Sequence, residues 1–196
     1  MHLILMIDTS GSMQGQKIGS VNDAMENLIA DLSAYSGNGD EVFIAVEFFS
    51  RNVKWMDDNF IWINSFEWKE PICTGMTSLG KACLSLAEFI NSMKDKEVRI
   101  VLLSDGCPTD DYDEGISMLE TIPGFISSNR YAIAIGNDAD MPSLVKFTAD
   151  QDKVFQVTDL DNLLAAIKMA AIPKDALPET MSTPQADVNT EDDEWA

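Results

Sequence analysis

The stretches LILMI (3–7), IVLL (100–103) and AIAI (132–135) carry apolar side chains at every position. A strand with one wet face alternates apolar and polar residues, so a strand that is apolar throughout must be covered on both faces. This requirement constrains the fold more than any other feature of the chain. Candidate strands lie at 3–7, 41–49, 53–56, 98–103, 131–135 and 154–157. Between them the apolar spacing changes to threes and fours. Ile18, Val21, Met25, Leu28, Ile29 and Leu32 share one helical face, and Leu79, Ala82, Cys83, Leu86, Phe89, Ile90 and Met93 share another. Shorter patterns predict helices over 112–122 and 142–148, and a further one through Leu160, Leu163, Leu164 and Ile167 with Thr158 or Asp159 as N-cap. Strands and helices alternating on this scale predict an α/β fold. It is a Rossmann-like, doubly wound, mostly parallel sheet with helices on both faces. The stretch 41–56 turns near 50–52, which predicts an antiparallel hairpin at one edge of that sheet.

The 196 residues suit one domain, expected over 1–171. From 172 to 196 the apolar period disappears. Pro173, Pro178 and Pro184 appear, and the stretch closes with Glu191, Asp192, Asp193 and Glu194, so an acidic, disordered tail is expected. Acidic side chains outnumber basic ones 33 to 13, a net charge of −20. Such a field repels nucleic acid and anionic membrane, and neither is expected as a partner. No apolar run approaches the roughly 18 residues of a membrane span. No basic segment precedes the first apolar run as in a secretory signal, so a cytoplasmic protein with reduced thiols is expected. The three cysteines form no CxxC, and His2 is the only histidine, so no zinc site of recognisable spacing exists.

Three segments at strand ends or in adjoining loops carry hard oxygen ligands. MIDTSGSM (6–13) supplies Asp8, Ser10 and Ser12; CTGMTSLG (73–80) places Thr77 just before a helix; LLSDGCPTD (102–110) delivers Asp105 into a Gly–Pro turn. Open α/β sheets bind ligands at the carboxyl ends of their strands. Two carboxylates and three hydroxyls make a donor set for a small hard cation such as Mg²⁺. Hydroxyls are weak neutral donors. They hold the ion while leaving it charge enough to take a further carboxylate. The alternate spacing of Asp8, Ser10 and Ser12 fits an extended loop whose alternate side chains point the same way.

These residues resemble a known family. DTSGS, a later threonine in a Gly-rich loop and a later SDG look like a von Willebrand factor A domain over about residues 1 to 170. By that resemblance Asp8, Ser10, Ser12, Thr77 and Asp105 match the metal-ion-dependent adhesion site. Ser10, Ser12 and Thr77 would bind the metal directly, and Asp8 and Asp105 directly or through water. The metal would be Mg²⁺, with Mn²⁺ or Ca²⁺ as alternatives, and the partner a protein offering an Asp or Glu carboxylate. Within the family the stretches CTGMTSLGKA and LLSDGCPTDD look most like bacterial tellurite-resistance TerY-like proteins. That likeness implies an adaptor in a stress or phage-defence system, with kinase-like or phosphatase-like partners. Some relatives of that kind carry a C-terminal zinc ribbon where this sequence has an acidic stretch.

Other readings compete. Asp8 can be a helix cap, and Asp105 and Asp110 turn or cap residues. Asp8 with Mg²⁺ also faintly resembles an aspartate-nucleophile phosphohydrolase, but the acid/base aspartate expected two residues later is Ser10. A metal that merely stabilises the fold is a third possibility. Cys73 and Cys107 flank the site and are expected to be buried fillers, with Cys83 in the core. Met13 is expected to pack under the first loop. Trp55, Phe60, Trp62, Phe66 and Trp68 are either a partner surface or packing against the domain itself.

Overall fold

The computed structural model describes residues 1–37, 40–93 and 97–173; the acidic stretch from 174 on, where disorder is expected, lies outside them. In chain order the elements are β1 (His2–Asp8), α1 (Gln16–Ser36), β2 (Phe43–Phe49), β3 (Val53–Trp55), β4 (Ile61–Trp62), α2 (Leu79–Asn91), β5 (Val98–Ser104), α3 (Tyr112–Leu119), α4 (Pro123–Ile126), β6 (Asn129–Ile135), α5 (Met141–Thr148), β7 (Val154–Val157) and α6 (Leu163–Ala171). The sheet runs β3-β2-β1-β5-β6-β7. From β2 to β7 every pairing is parallel. At the edge β3 runs antiparallel to the end of β2, and β4 antiparallel to its beginning. The expected doubly wound sheet with an antiparallel edge is the one that forms. Among the described residues no helix is long and apolar enough to cross a membrane.

The continuously apolar strands serve two cores. Leu3, Leu5 and Ile7 point into one layer with α1 and α6, while Ile4 and Met6 point into the other with α2, α3, α4 and α5. Chain order reverses between β1 and β5. From β1 the chain passes through α1 to β2 on one side, then crosses back to β5 on the other. A crevice therefore opens at the carboxyl ends of β1 and β5, where helices depart to opposite faces.

Local departures from the sequence reading have local causes. The helix expected over 112–122 stops at Leu119, and a separate turn begins at Pro123. Ile122, held before that proline, is extended at φ −92° and ψ 114° because the pyrrolidine ring excludes the helical region from its predecessor. Asp159 is the cap, accepting from Asp161 N at 3.1 Å, but it opens a 3₁₀ turn that leads into α6. Strand β4 spans two residues, too few to show a period. The aromatic residues mostly pack inward: Trp55 stacks on Phe89 at 4.0 Å, and Trp68 meets Phe48 edge-on at 5.7 Å. Trp62 stays 45% exposed.

One buried side chain breaks the apolar pattern. Glu47 on β2 is fully buried, and its carboxylate oxygens take no hydrogen bond from the described residues. The nearby Ser85 hydroxyl accepts instead from Trp55 Nε1 at 2.9 Å. Burial pushes the Glu47 carboxyl up to about 8, against a smaller opposing pull from Ser85. Below its ordinary value of 4.5 the group is neutral whether folded or unfolded, and it costs little. As pH rises the unfolded chain ionises first, so this contribution to stability is lost progressively until about pH 8. Glu47→Gln should therefore match the wild type near the lower limit and exceed it by roughly a few kcal/mol at the upper. Urea unfolding across that range measures the difference, and a gap that does not widen with pH contradicts the assignment.

Candidate metal centre

Asp8 is the last residue of β1 and is fully buried. Its Oδ1 accepts from Ser10 N at 2.8 Å, which turns the chain sharply out of the strand. Its Oδ2 accepts from Ser104 Oγ at 2.7 Å across the sheet. Burial pushes the Asp8 carboxyl above its usual range, the Ser104 and Ser10 hydrogen bonds oppose this, and the negative charge of Asp105 adds to it. Ser10 opens a 3₁₀ turn, Gly11–Met13, and Met13 drops fully buried into the α1–α6 core. That anchor holds the loop from below, as the sequence predicts.

The other two segments are stitched to this loop through backbone atoms. Gly11 N donates to Gly75 O at 3.0 Å, and Thr74 N to Thr9 O at 2.8 Å. Thr109 N donates to Thr77 O at 2.8 Å, tying the 73–80 loop to the 102–110 loop. Thr77 is buried, and its hydroxyl faces Gly106 so closely that a Cβ there would stand 2.9 Å from Oγ1. Asp110 is a cap, but of a helix reached from another loop. Its two oxygens accept from Gly80 N and Lys81 N of α2, each at 2.9 Å. Asp111 caps α3.

Asp105 leaves β5 beside Asp8, and its Oδ1 accepts from Ser12 Oγ at 2.8 Å. Ser10 Oγ and Ser12 Oγ are 2.9 Å apart; the Ser12 proton is already given to Asp105, so Ser10 is the donor between them. The structure thus links Asp8, Ser10, Ser12 and Asp105 directly and sets Thr77 beside Asp105 across Gly106. Among the described residues no group of three or more His, Cys, Asp or Glu could hold a metal. Only the hydroxyls make these two carboxylates a set that suits a hard cation.

Two participants were not identified from sequence. Ser104 is a fully buried polar residue closing an otherwise apolar strand end, which is the signal it carries. Lys17 sends its ammonium to Asp105 Oδ2 at 2.5 Å and to Asp138 Oδ1 at 3.4 Å. Burial disfavours the Lys17 charge, but Asp105 and Asp138 outweigh it and hold the ammonium above its usual value. Its sequence signal is a cation in the first turn of α1, where the helix dipole opposes one.

The sequence matches the von Willebrand factor type A domain over residues 2–169. The chain belongs to that family. Domains of this family commonly hold a divalent metal at a metal-ion-dependent adhesion site and bind proteins there. A search of curated proteins returns no match. Among solved structures this domain is similar to the ArnB paralog VWA2 from Sulfolobus acidocaldarius, at 25% identity and a TM-score of 0.64, over 84% of this chain and 43% of that one. It is similar to a von Willebrand factor type A protein from Catenulispora acidiphila, at 17% identity and 0.67, over 86% and 41%. It also resembles proximal thread matrix protein 1 from the mussel byssus with a zinc-occupied metal site, at 16% identity and 0.60, over 86% and 45%. The matched part is less than half the length of each of these three chains.

The cysteines around the site differ sharply. Cys73 and Cys83 are buried, while Cys107 is exposed, contrary to the expectation that both flanking cysteines are buried fillers; it lies beyond the end of β5, in a turn whose neighbours Gly106 and Pro108 are only half-buried. Burial pushes the Cys73 thiol up to about 11, helped by Asp8 and Asp105, and pushes Cys83 up as well. Cys107 is raised by hydrogen bonding to Asp140. Reaction with a disulfide reagent at neutral pH should modify Cys107 alone in the native domain, and all three thiols after denaturation. Peptide mass mapping reads this out, and rapid native labelling of Cys73 contradicts the packing described.

Proposed function

We propose that this domain is a metal-ion-dependent protein-binding module. Asp8, Ser10, Ser12, Thr77 and Asp105 hold Mg²⁺, and an Asp or Glu of a protein partner completes its coordination. The observation that carries the reading is the convergence of these oxygen donors, from three separate loops, at the crevice where chain order reverses. When bound, the metal supplies a local dication on a protein of net charge −20, to which an acidic partner group can bind. Around the site the rim fits a contact surface: Ser12 is exposed, and Ile72 and Met76 on the Thr77 loop are 87% and 49% exposed. The tellurite-resistance-like stretches support a cytoplasmic adaptor in a bacterial stress or phage-defence system, with a kinase-like or phosphatase-like partner. Mn²⁺ or Ca²⁺ suits the same oxygens.

The phosphohydrolase alternative is the weaker reading, because the acid/base aspartate it needs two residues after Asp8 is Ser10, whose hydroxyl is paired with Ser12.

Thermal unfolding with Mg²⁺ or Mn²⁺ tests the reading. At about 100 times its dissociation constant the metal should stabilise the wild type by roughly 2.7 kcal/mol. Asp105→Ala should abolish that gain. Gly106→Ala should reduce it although it removes no donor group, because the new methyl pushes the Thr77 hydroxyl out of position. Partner capture should then be lost on chelation. A metal response that survives in Asp105→Ala places the ion elsewhere.

A further inference from the structure

We propose that Lys17 is a built-in counter-cation, which competes with the divalent metal for Asp105 and shifts to Asp138 when that metal is bound. This rests on the metal reading above.

The lysine is built into the site. Its Nζ lies 2.5 Å from Asp105 Oδ2, and that carboxylate's side chain is fully buried. The same ammonium is already 3.4 Å from Asp138 Oδ1, whose side chain is 76% exposed. A glycine makes the space. Gly136 has φ +98°, and a Cβ there would stand 2.8 Å from Asp138 Oδ1 and 3.2 Å from Lys17 Cε and Nζ. Any side chain at 136 would close the passage between the two carboxylates. Lys17 also sits in the first turn of α1, where the helix dipole offers a cation nothing. Its surroundings favour it for Asp105 and Asp138 alone.

The charges then set the behaviour. Without metal, buried Asp8 and Asp105 repel each other, and Lys17 relieves the repulsion. A dication on the same carboxylates would face the ammonium as a third positive charge on two negative ones. Lys17 lowers that cost by leaning to Asp138. The site should therefore bind metal less tightly than the same donors without the lysine. A partner carboxylate restores the balance, so metal and partner should reinforce each other reciprocally.

Calorimetric titration of the full chain with Mn²⁺ tests this. Relative to wild type, Lys17→Met should bind Mn²⁺ about tenfold more tightly or better, since a close positive charge has been removed. In the metal-free state it should melt at a lower temperature. Asp138→Asn should bind Mn²⁺ several-fold more weakly, and this loss should vanish in the Lys17→Met background. A plain loss of nearby negative charge would persist there. Unchanged or weaker binding by Lys17→Met, with the wild type binding, overturns the proposal and leaves the metal reading intact. No binding by wild type or Lys17→Met overturns both. If metal-free Lys17→Met does not fold, Lys17→Gln, which keeps a hydrogen-bond donor for Asp105 without the charge, takes its place alone and in the Asp138→Asn background, with the same expected and overturning outcomes.

Discussion

The site depends on one electrostatic liability, two carboxylates brought side by side in the interior. Asp8 ends β1 and Asp105 follows β5, and the register of these neighbouring parallel strands leaves them no separation to take. The strands are in turn fixed by apolar side chains on both faces, which cannot slip without exposing a whole layer to water. The fold is thus what concentrates the negative charge. Ser104, Ser10, Ser12 and Lys17 are the groups that make it tolerable.

Much of this was legible in the sequence. The unbroken runs at 3–7, 100–103 and 132–135 announced strands buried on both sides, and the order of elements announced the crevice. DTSGS and SDG carried their meaning because they stand where strands end. Lys17 was not legible by the same means, since its partners lie far along the chain and no local pattern joins a helix-start lysine to Asp105 and Asp138. Glu47 shows another limit: nothing in the run 43–49 tells that its one carboxylate is fully buried, with Ser85 of α2 beside it. Cys107 was misjudged because its exposure depends on how one turn lies over the sheet, which residue type does not encode.

The three loops are also unequal in what they are tied to. The Asp8 loop is anchored by Met13 to the layer of α1 and α6. The Asp105 loop is fastened by Asp110 to the start of α2. Between α2 and α3 the backbones nearly touch, since a Cβ on Gly115 would come within 2.4 Å of Gly80 O and one on Gly80 within 2.3 Å of Asp111 O.

That last contact bears on how the domain would carry a mechanical load. With no side chains between them, α2 and α3 cannot slide past each other at this point without backbone collision. A tug on the Asp105 loop would pass through Asp110 into two helices moving as one block, and a tug on the Asp8 loop into the opposite layer. Tension arriving at a single point would leave the molecule along two routes on either side of the sheet, which would share the strain instead of peeling one helix away.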